Sequence, residues 1–432
     1  MINSIFTFIK DPIIFVPAIK VLFIKISAII FIFLMNLLVV REVGITESGL
    51  FFLSMGIVIF IANISKLGLD QPLTKFISKI NSSKRKENIH AVHKKAITWS
   101  LTSSFLAASG IFILSPPICE VIFAKPELTS ILKIMSFSII PIVNIALYSH
   151  SLQGLKKPKI AMIILSLIIP VLIVLIILML DMRDAKDISI AYLTVNLITF
   201  LLSVIAWEVL SIKRVSTLPF SGKKLWESSS PLWLSIFFHQ IMIWSPLLIL
   251  GVWSSSEDIA IFNISNRIAG LVLVLMFALN SIVAPELAEA KSKNDIDQII
   301  QISKTAIKIS LFGGIPILMS IFIFPEFLLG LFGNEFKSAT TILIILSLGT
   351  MANIFTGPVS TVLAMTDNEK EVLWQNVFGG LVTLIFALML IPYLQIMGAA
   401  VSASLGLASR NLFGVYQVYF LYKENILFFW RD

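Results

Sequence analysis

Residues Glu257–Glu289 read EDIAIFNISNRIAGLVLVLMFALNSIVAPELAE. A helix needs about 20 apolar residues to cross the roughly 30 Å hydrocarbon core of a bilayer, and this stretch supplies them with one cation, Arg267, well inside the span. Asn263, Asn266, Arg267 and Gly270 recur at spacings that gather them on one stripe of a helix, while Ile268, Leu271, Leu275 and Leu279 lie largely elsewhere. An arginine at the bilayer centre costs about 2.5–3.5 kcal/mol on insertion scales, so the stripe is expected to face protein or water. It reads as one wall of a transport cavity; the alternatives are an Arg267 that snorkels outward or pairs with a carboxylate for packing.

The rest of the chain has the same character. Of its 432 residues 57% are hydrophobic and only 13% charged, against about 25% charged in soluble domains. Mean hydropathy is +0.95. About twelve spans follow one another: Ile19–Val40, Ser48–Leu67, Ala96–Leu114, Leu128–Leu152, Ile160–Leu180, Ile188–Ile212, Pro231–Val252, Ile259–Ala284, Thr305–Phe324, Ala339–Met365, Val372–Pro392 and Met397–Phe420. No room remains for a soluble domain. Phe6–Ala18, with Pro12 and Pro17, is too short to span and is expected in the interface, and the first hydrophobic segment, which lacks a cleavage site, is expected to stay as an anchor. The single cysteine, Cys119, excludes an intramolecular disulfide and a cysteine metal cluster.

The net charge of +8 does not mark a nucleic-acid binder, because the basic residues sit in short connections between apolar spans. One set of alternate connections carries Lys10 and Lys20, the run Lys75–Lys95, Lys156, Lys157 and Lys159, Lys213, Arg214, Lys223 and Lys224, and Lys291–Lys308. The other carries Arg41, Lys125, Arg183, Lys186 and Lys337, mostly beside acids. By the positive-inside rule the first set, with both termini, is cytoplasmic.

The chain also repeats at an offset of about 210 residues. PPICEVIFAKPE from Pro116 aligns with PEFLLGLFGNEF from Pro325, matching Phe123 with Phe332, and Glu47 likewise matches Glu257. The expected fold is therefore an all-α polytopic membrane protein: two six-helix lobes, residues 1–212 and 231–432, joined by a cytoplasmic linker at 213–230 and related by a pseudo-two-fold along the membrane normal. Such an arrangement leaves a cleft between the lobes.

No enzymatic or ATP-binding motif is present: there is no H-E-x-x-H, no G-x-S-x-G and no phosphate-binding loop, and only four histidines occur. The chain is expected to bind and move something without a cofactor or metal. Polar residues inside the spans are then the candidates, and cations predominate: Lys25, Lys66, Arg267 and Arg410, with His239 in the seventh span. Lys66 and Asp70 are four apart and suited to pair with each other. Lys25 either snorkels or lines the cleft. His239 shares a face with Ser235, Met242 and Pro246, and a proton relay there is one reading. Arg410 stands in a lane, Gly398, Ser402, Gly406, Arg410 and Gly414, that signals either close helix packing or open volume around the guanidinium. Prolines at 141, 170, 246, 316 and 358 fall within spans, and Pro246 is expected to kink the seventh helix.

LGLDQPLTKFISK from Leu67, FNISNRIAGL and APELAEA in the eighth span, PEFLLGLFGNEFKSA and MGAAVSASLG together resemble the polysaccharide flippases of the multidrug/oligosaccharidyl-lipid/polysaccharide exporter superfamily, the O-antigen (Wzx-type) translocases in particular. The resemblance covers essentially the whole chain. It implies a cleft lined by the first, second, seventh and eighth helices, in a bacterial inner membrane protein that moves an undecaprenyl-diphosphate-linked oligosaccharide to the outer leaflet. Membrane lipids, polysaccharide polymerase and other assembly proteins are the implied partners. Similar flippases face the head group with arginines from the first and eighth helices; Arg267 matches the second, and Lys25 stands where the first would be. The substrate-binding set is then Arg267, Asn263, Asn266, Arg410, Lys25 and His239. The competing class is an ion-coupled exporter of drugs or organic cations, which would want buried carboxylates, whereas acids such as Asp70, Glu208 and Glu286 cluster at helix ends.

Overall fold

The computed structural model describes residues 12–82, 89–211, 221–424 and 426. The expected interfacial segment Phe6–Ala18, the middle of the basic Lys75–Lys95 loop, and Lys213 with Arg214 lie wholly or partly outside these. Every regular element among the described residues is helical: α1 (Pro12–Ser65), α2 (Asp70–Asn81), α3 (Ile89–Pro117), α4 (Leu128–Ser136), α5 (Ile139–Gly154), α6 (Pro158–Met162), α7 (Ile168–Met179), α8 (Ala185–Leu210), α9 (Gly222–Trp253), α10 (Ser256–Ala269), α11 (Leu273–Ser292), α12 (Ile296–Ile323), α13 (Pro325–Gly330), α14 (Thr340–Thr356), α15 (Val359–Met365) and α16 (Glu369–Tyr422).

Among the described residues, ten helical stretches are long and apolar enough to cross a membrane. Two of them, α1 and α16, run 54 residues each, about 80 Å at the usual rise and far more than one bilayer crossing. Each is two spans joined at a break. In α1 the break is Gly44 (φ 80°, ψ 175°), a conformation that favours glycine. In α16 it is Gln395 (φ 46°, ψ −124°), three residues after Pro392. Both breaks fall in connections expected between spans, and counting each helix as two raises ten to twelve.

Proline accounts for most of the local irregularity. A π-helical turn at Ile118–Ile122 follows Pro116 and Pro117, and another at Ile163–Leu167 precedes Pro170, so both stand beside prolines that interrupt the regular ladder. The tenth span breaks outright at Gly357–Pro358, between α14 and α15. Pro358 cannot donate to the carbonyl of Ile354, and the Ser310 hydroxyl of α12 takes that acceptor instead, at 2.6 Å. Gly357 sits at φ 66°, ψ −155°, where an L side chain is strained. Pro246, by contrast, falls within the single helix α9. Three helices start on side-chain caps: Asp184 accepts from Asp187 N at 2.9 Å, Ser255 from Asp258 N at 3.2 Å and Asp295 from Gln298 N at 2.9 Å.

The chain divides into two units. The first takes the chain to Glu42, Ile61–Ile118 and Pro126–Trp233. Its short α2, too polar to span, buries Leu73 and Ile77 against Val92 of α3 and Leu147 and Leu152 of α5. Where lipid offers no hydrophobic gain, polar ties and close contact hold helices together. Ser100 donates to Asn144 at 2.8 Å, and His93 bonds Ser151 at 2.9 Å while stacking on Trp207 at 3.8 Å. Lys66 and Asp70 pair at 3.6 Å, as their spacing predicts.

The second unit takes Val43–Phe60, Cys119–Lys125 and the chain from Leu234 onward. Its core includes Leu279 and Leu287 of α11, Ile302 and Ile307 of α12 and Val362 of α15. Lys125 closes the end of α9: its ammonium donates to the carbonyls of Gly251 and Ser254, each at 2.8 Å, which satisfies acceptors that a helix terminus leaves open. Beside it Thr46 donates to the Glu257 carboxylate. Phe123 and Phe332, matched across the sequence repeat, are both buried.

Candidate functional site

Arg410 lies in the second span of α16, half-buried among helices of the second unit. Its Nε donates to Asn376 Oδ1 at 2.9 Å and its Nη2 to Ser360 Oγ at 3.1 Å. Both acceptors are themselves fixed. Asn376 Nδ2 donates to Ser235 Oγ on α9 at 2.9 Å, and the Ser360 hydroxyl donates to Gln375 Oε1 at 2.9 Å. The guanidinium is thus oriented from α9, α15 and the first span of α16, all by neutral groups. No carboxylate of the described residues lies within ion-pair distance of it.

Close backbone approach makes this possible. A Cβ added at Gly379 would sit 2.7 Å from Arg410 Cβ and 3.1 Å from Met242 Sδ, and one at Gly380 would meet the Phe238 carbonyl at 2.6 Å. Glycine at these positions lets α9 and both spans of α16 converge. In the lane around Arg410, Gly398 abuts the backbone of Leu390, Gly406 abuts Thr383, and Gly414 abuts Gln375 and Val359. The glycines serve close packing, with the arginine set among them.

His239 lies on the same face of α9 as Ser235 and Met242, near enough for the Arg410 charge to act on it. Its Nδ1 is buried without a hydrogen-bond partner, as is Gln375 Nε2. Such orphans cost free energy and mark places where a ligand could bond.

The stripe on α10 is only partly coherent. Asn263 is buried with its Nδ2 unpartnered, Asn266 is exposed and Arg267 is half-buried. The helix does not run straight to Glu289: Gly270–Val272 forms a 3-10 turn before α11. Gly270, one turn past Arg267, has nothing within 4 Å of an added Cβ, so this side of the stripe meets open space. Lys25 lies half-buried in α1 and belongs to the first unit.

The structure therefore ties Arg410 through Asn376 to Ser235, one helical turn before His239 on α9, and adds Ser360 and Gln375, which the sequence reading passed over. A second lane, Gln375, Asn376, Gly379, Gly380 and Thr383 at helical spacing, was the signal that could have found them. A fixed cation held by neutral partners at membrane depth can bind an anion and orient it.

Comparison with known proteins agrees with this architecture. Residues 231–389 match the MatE family. The chain is 24% identical over 170 residues to the probable low-salt glycan biosynthesis flippase Agl15 of Haloferax volcanii, a match covering 39% of this chain and 36% of that protein. It thus spans little more than a third of the curated relative. The fold is similar to an inward-facing multidrug resistance MATE family transporter of the MOP superfamily, with TM-score 0.75 and 15% identity over 94% of this chain and 98% of that one. The outward-facing form of such a transporter gives TM-score 0.68 and 16% identity, covering 94% and 95%. A MOP superfamily transporter from Pyrococcus furiosus gives TM-score 0.65 and 17% identity, covering 94% and 96%. Residues 18–291, more than half of the chain, match the polysaccharide biosynthesis protein family, and the chain accordingly belongs to that family.

Proposed function

We propose that this protein is a flippase that carries an undecaprenyl-diphosphate-linked oligosaccharide, an O-antigen or capsule repeat unit, from the cytoplasmic to the outer leaflet of a bacterial inner membrane by alternating access. The observation that carries this is Arg410, a guanidinium at membrane depth oriented by Asn376 and Ser360 with no carboxylate of the described residues to neutralise it. A charge so placed is costly unless an anion comes to it. Family membership and the glycan flippase relative support a lipid-linked saccharide as that anion's carrier.

The physics suits such a substrate. Each sugar hydroxyl moved unpaired into hydrocarbon costs about 4–8 kcal/mol, so the head group needs a polar path while the lipid tail stays in the bilayer. Arg267, with Asn263 and Asn266 on its stripe, is the second cation offered to the diphosphate, and its planar fork suits phosphate oxygens better than a lysine would. With the cytoplasm negative, outward movement of a diphosphate gains about 2.3 kcal/mol per charge per 100 mV, so the potential itself favours export.

The test is flipping of a fluorescent polyprenyl-diphosphate oligosaccharide in proteoliposomes, normalised to inserted protein. Arg410→Ala and Arg267→Ala each lose most of the rate yet insert well, and the lysine variants keep part of it. Wild-type rates from well-inserted alanine variants would refute both roles. The MatE match over 231–389 favours a second reading, ion-coupled export of organic cations; efflux of a cationic dye that is indifferent to Arg410→Ala would establish it instead.

A further inference from the structure

Two primary amides surround Arg410: Asn376 accepts from it directly, where a carboxylate of the same size would complete an ion pair, and Gln375 stands one hydroxyl away, behind Ser360. The geometry of the guanidinium shows what the amides leave open. An arginine offers five N–H groups in a planar fork, and here Nε and Nη2, which form one edge of the plane, are taken by Asn376 and Ser360. The other edge, Nη1 with the second N–H of Nη2, keeps its donors for a bidentate oxyanion. Asn376 orients this fork because its own Nδ2 is anchored on Ser235.

We propose that Asn376 sets the charge selectivity of the Arg410 seat: its amide aims the guanidinium without cancelling its charge, so the seat takes a prenyl diphosphate and refuses an organic cation. The role presupposes that Arg410 faces substrate, as in the function proposed above. One atom separates this state from its opposite. An aspartate at 376 would keep the shape, and the Ser235 hydroxyl can turn to donate where it now accepts. The carboxylate would stand 2.9 Å from Nε on the present Oδ1 position, an ion pair that neutralises the seat.

Purified full-length protein in neutral detergent is titrated with farnesyl diphosphate, which has no sugar, and with a radiolabelled dodecyltrimethylammonium salt. Wild type prefers the diphosphate. Asn376→Asp weakens it at least tenfold and raises the affinity for the cation, while its melting temperature holds or rises because the ion pair is complete. Asn376→Leu, which removes the aim but not the charge, weakens the diphosphate by a smaller factor and gains no cation. Should Asn376→Asp fail to insert, Gln375→Glu brings a carboxylate one hydroxyl further away, 2.9 Å beyond Ser360 Oγ, and loses anion preference by a smaller factor. Unchanged preference in the folded acidic variant, or no preference in wild type, overturns the assignment. A wild type that prefers the diphosphate but flips no lipid-linked oligosaccharide would remove the functional reading and leave Asn376's role intact; flipping with unchanged preference in Asn376→Asp would do the reverse.

Discussion

Replacing Lys125 with methionine keeps the length and apolar stem of the side chain and removes only its ammonium. That group donates two hydrogen bonds of 2.8 Å to the last carbonyls of α9, at Gly251 and Ser254, and its charge also reaches Glu257. Charge-assisted bonds contribute about 1.5–3 kcal/mol each when shielded from water. Lys125 is half-exposed, which reduces the pair to about 2 kcal/mol in all. The loss falls on the short segment Cys119–Lys125, whose far end is tied by Lys125 N to Cys119 O at 2.8 Å. Cys119 is the chain's single cysteine and is fully buried, so its labelling by N-ethylmaleimide reports how often this segment lifts away. At 1.4 kcal/mol per decade, a loss of about 2 kcal/mol raises the open population, and with it the labelling rate, about 30-fold. Lys125→Arg should stay near the wild-type rate. Equal labelling of Lys125→Met and wild type, with equal reactivity after denaturation, would refute the role of Lys125 as a clasp.

Two further outcomes are expected. Gly357→Ala forces an L side chain to φ 66° and brings its Cβ to 2.6 Å from Ile307 Cγ1, a cost of about 1–3 kcal/mol in backbone strain alone; thermal unfolding in detergent should show a lower melting temperature, and wild-type stability would mean that α14 and α15 can join differently. From the distribution of lysine and arginine, reporter fusions after Lys95 and at the C-terminus should both signal cytoplasm, and a periplasmic signal from either would reverse the topology.

The spans themselves were legible because bilayer thickness imposes a length and a polarity that sequence cannot hide. Even the interruptions of the two longest helices fall where Gly44 and the residues after Pro392 announce a change of direction. The Lys66–Asp70 pair was equally plain, since its partners share one helical face. Side-chain partnership across helices was not. Nothing local to Arg410 says that Asn376 and Ser360, 34 and 50 residues upstream, will accept its hydrogen bonds; that follows from which glycines let the helices meet. The stripe on α10 shows the same limit: equal spacing cannot tell a residue turned to a neighbouring helix, as at buried Asn263, from one turned outward, as at exposed Asn266. Proline positions gave candidates for bending but not which of them would interrupt a span: Pro358 does so beside a Gly357 at positive φ, while Pro246 lies inside α9.

The turn at Gln395 also bears on how the chain reaches the membrane. It folds the last two spans into a hairpin within one continuous element, and the Arg410–Asn376 bond closes inside that hairpin. An arginine offered to lipid on a lone helix carries an insertion cost of about 2.5–3.5 kcal/mol. Here the acceptor emerges from the ribosome first and the cation follows 34 residues later, so the two can enter the bilayer already bonded. The order of synthesis thus offers the arginine of the final span an acceptor before it has to meet hydrocarbon.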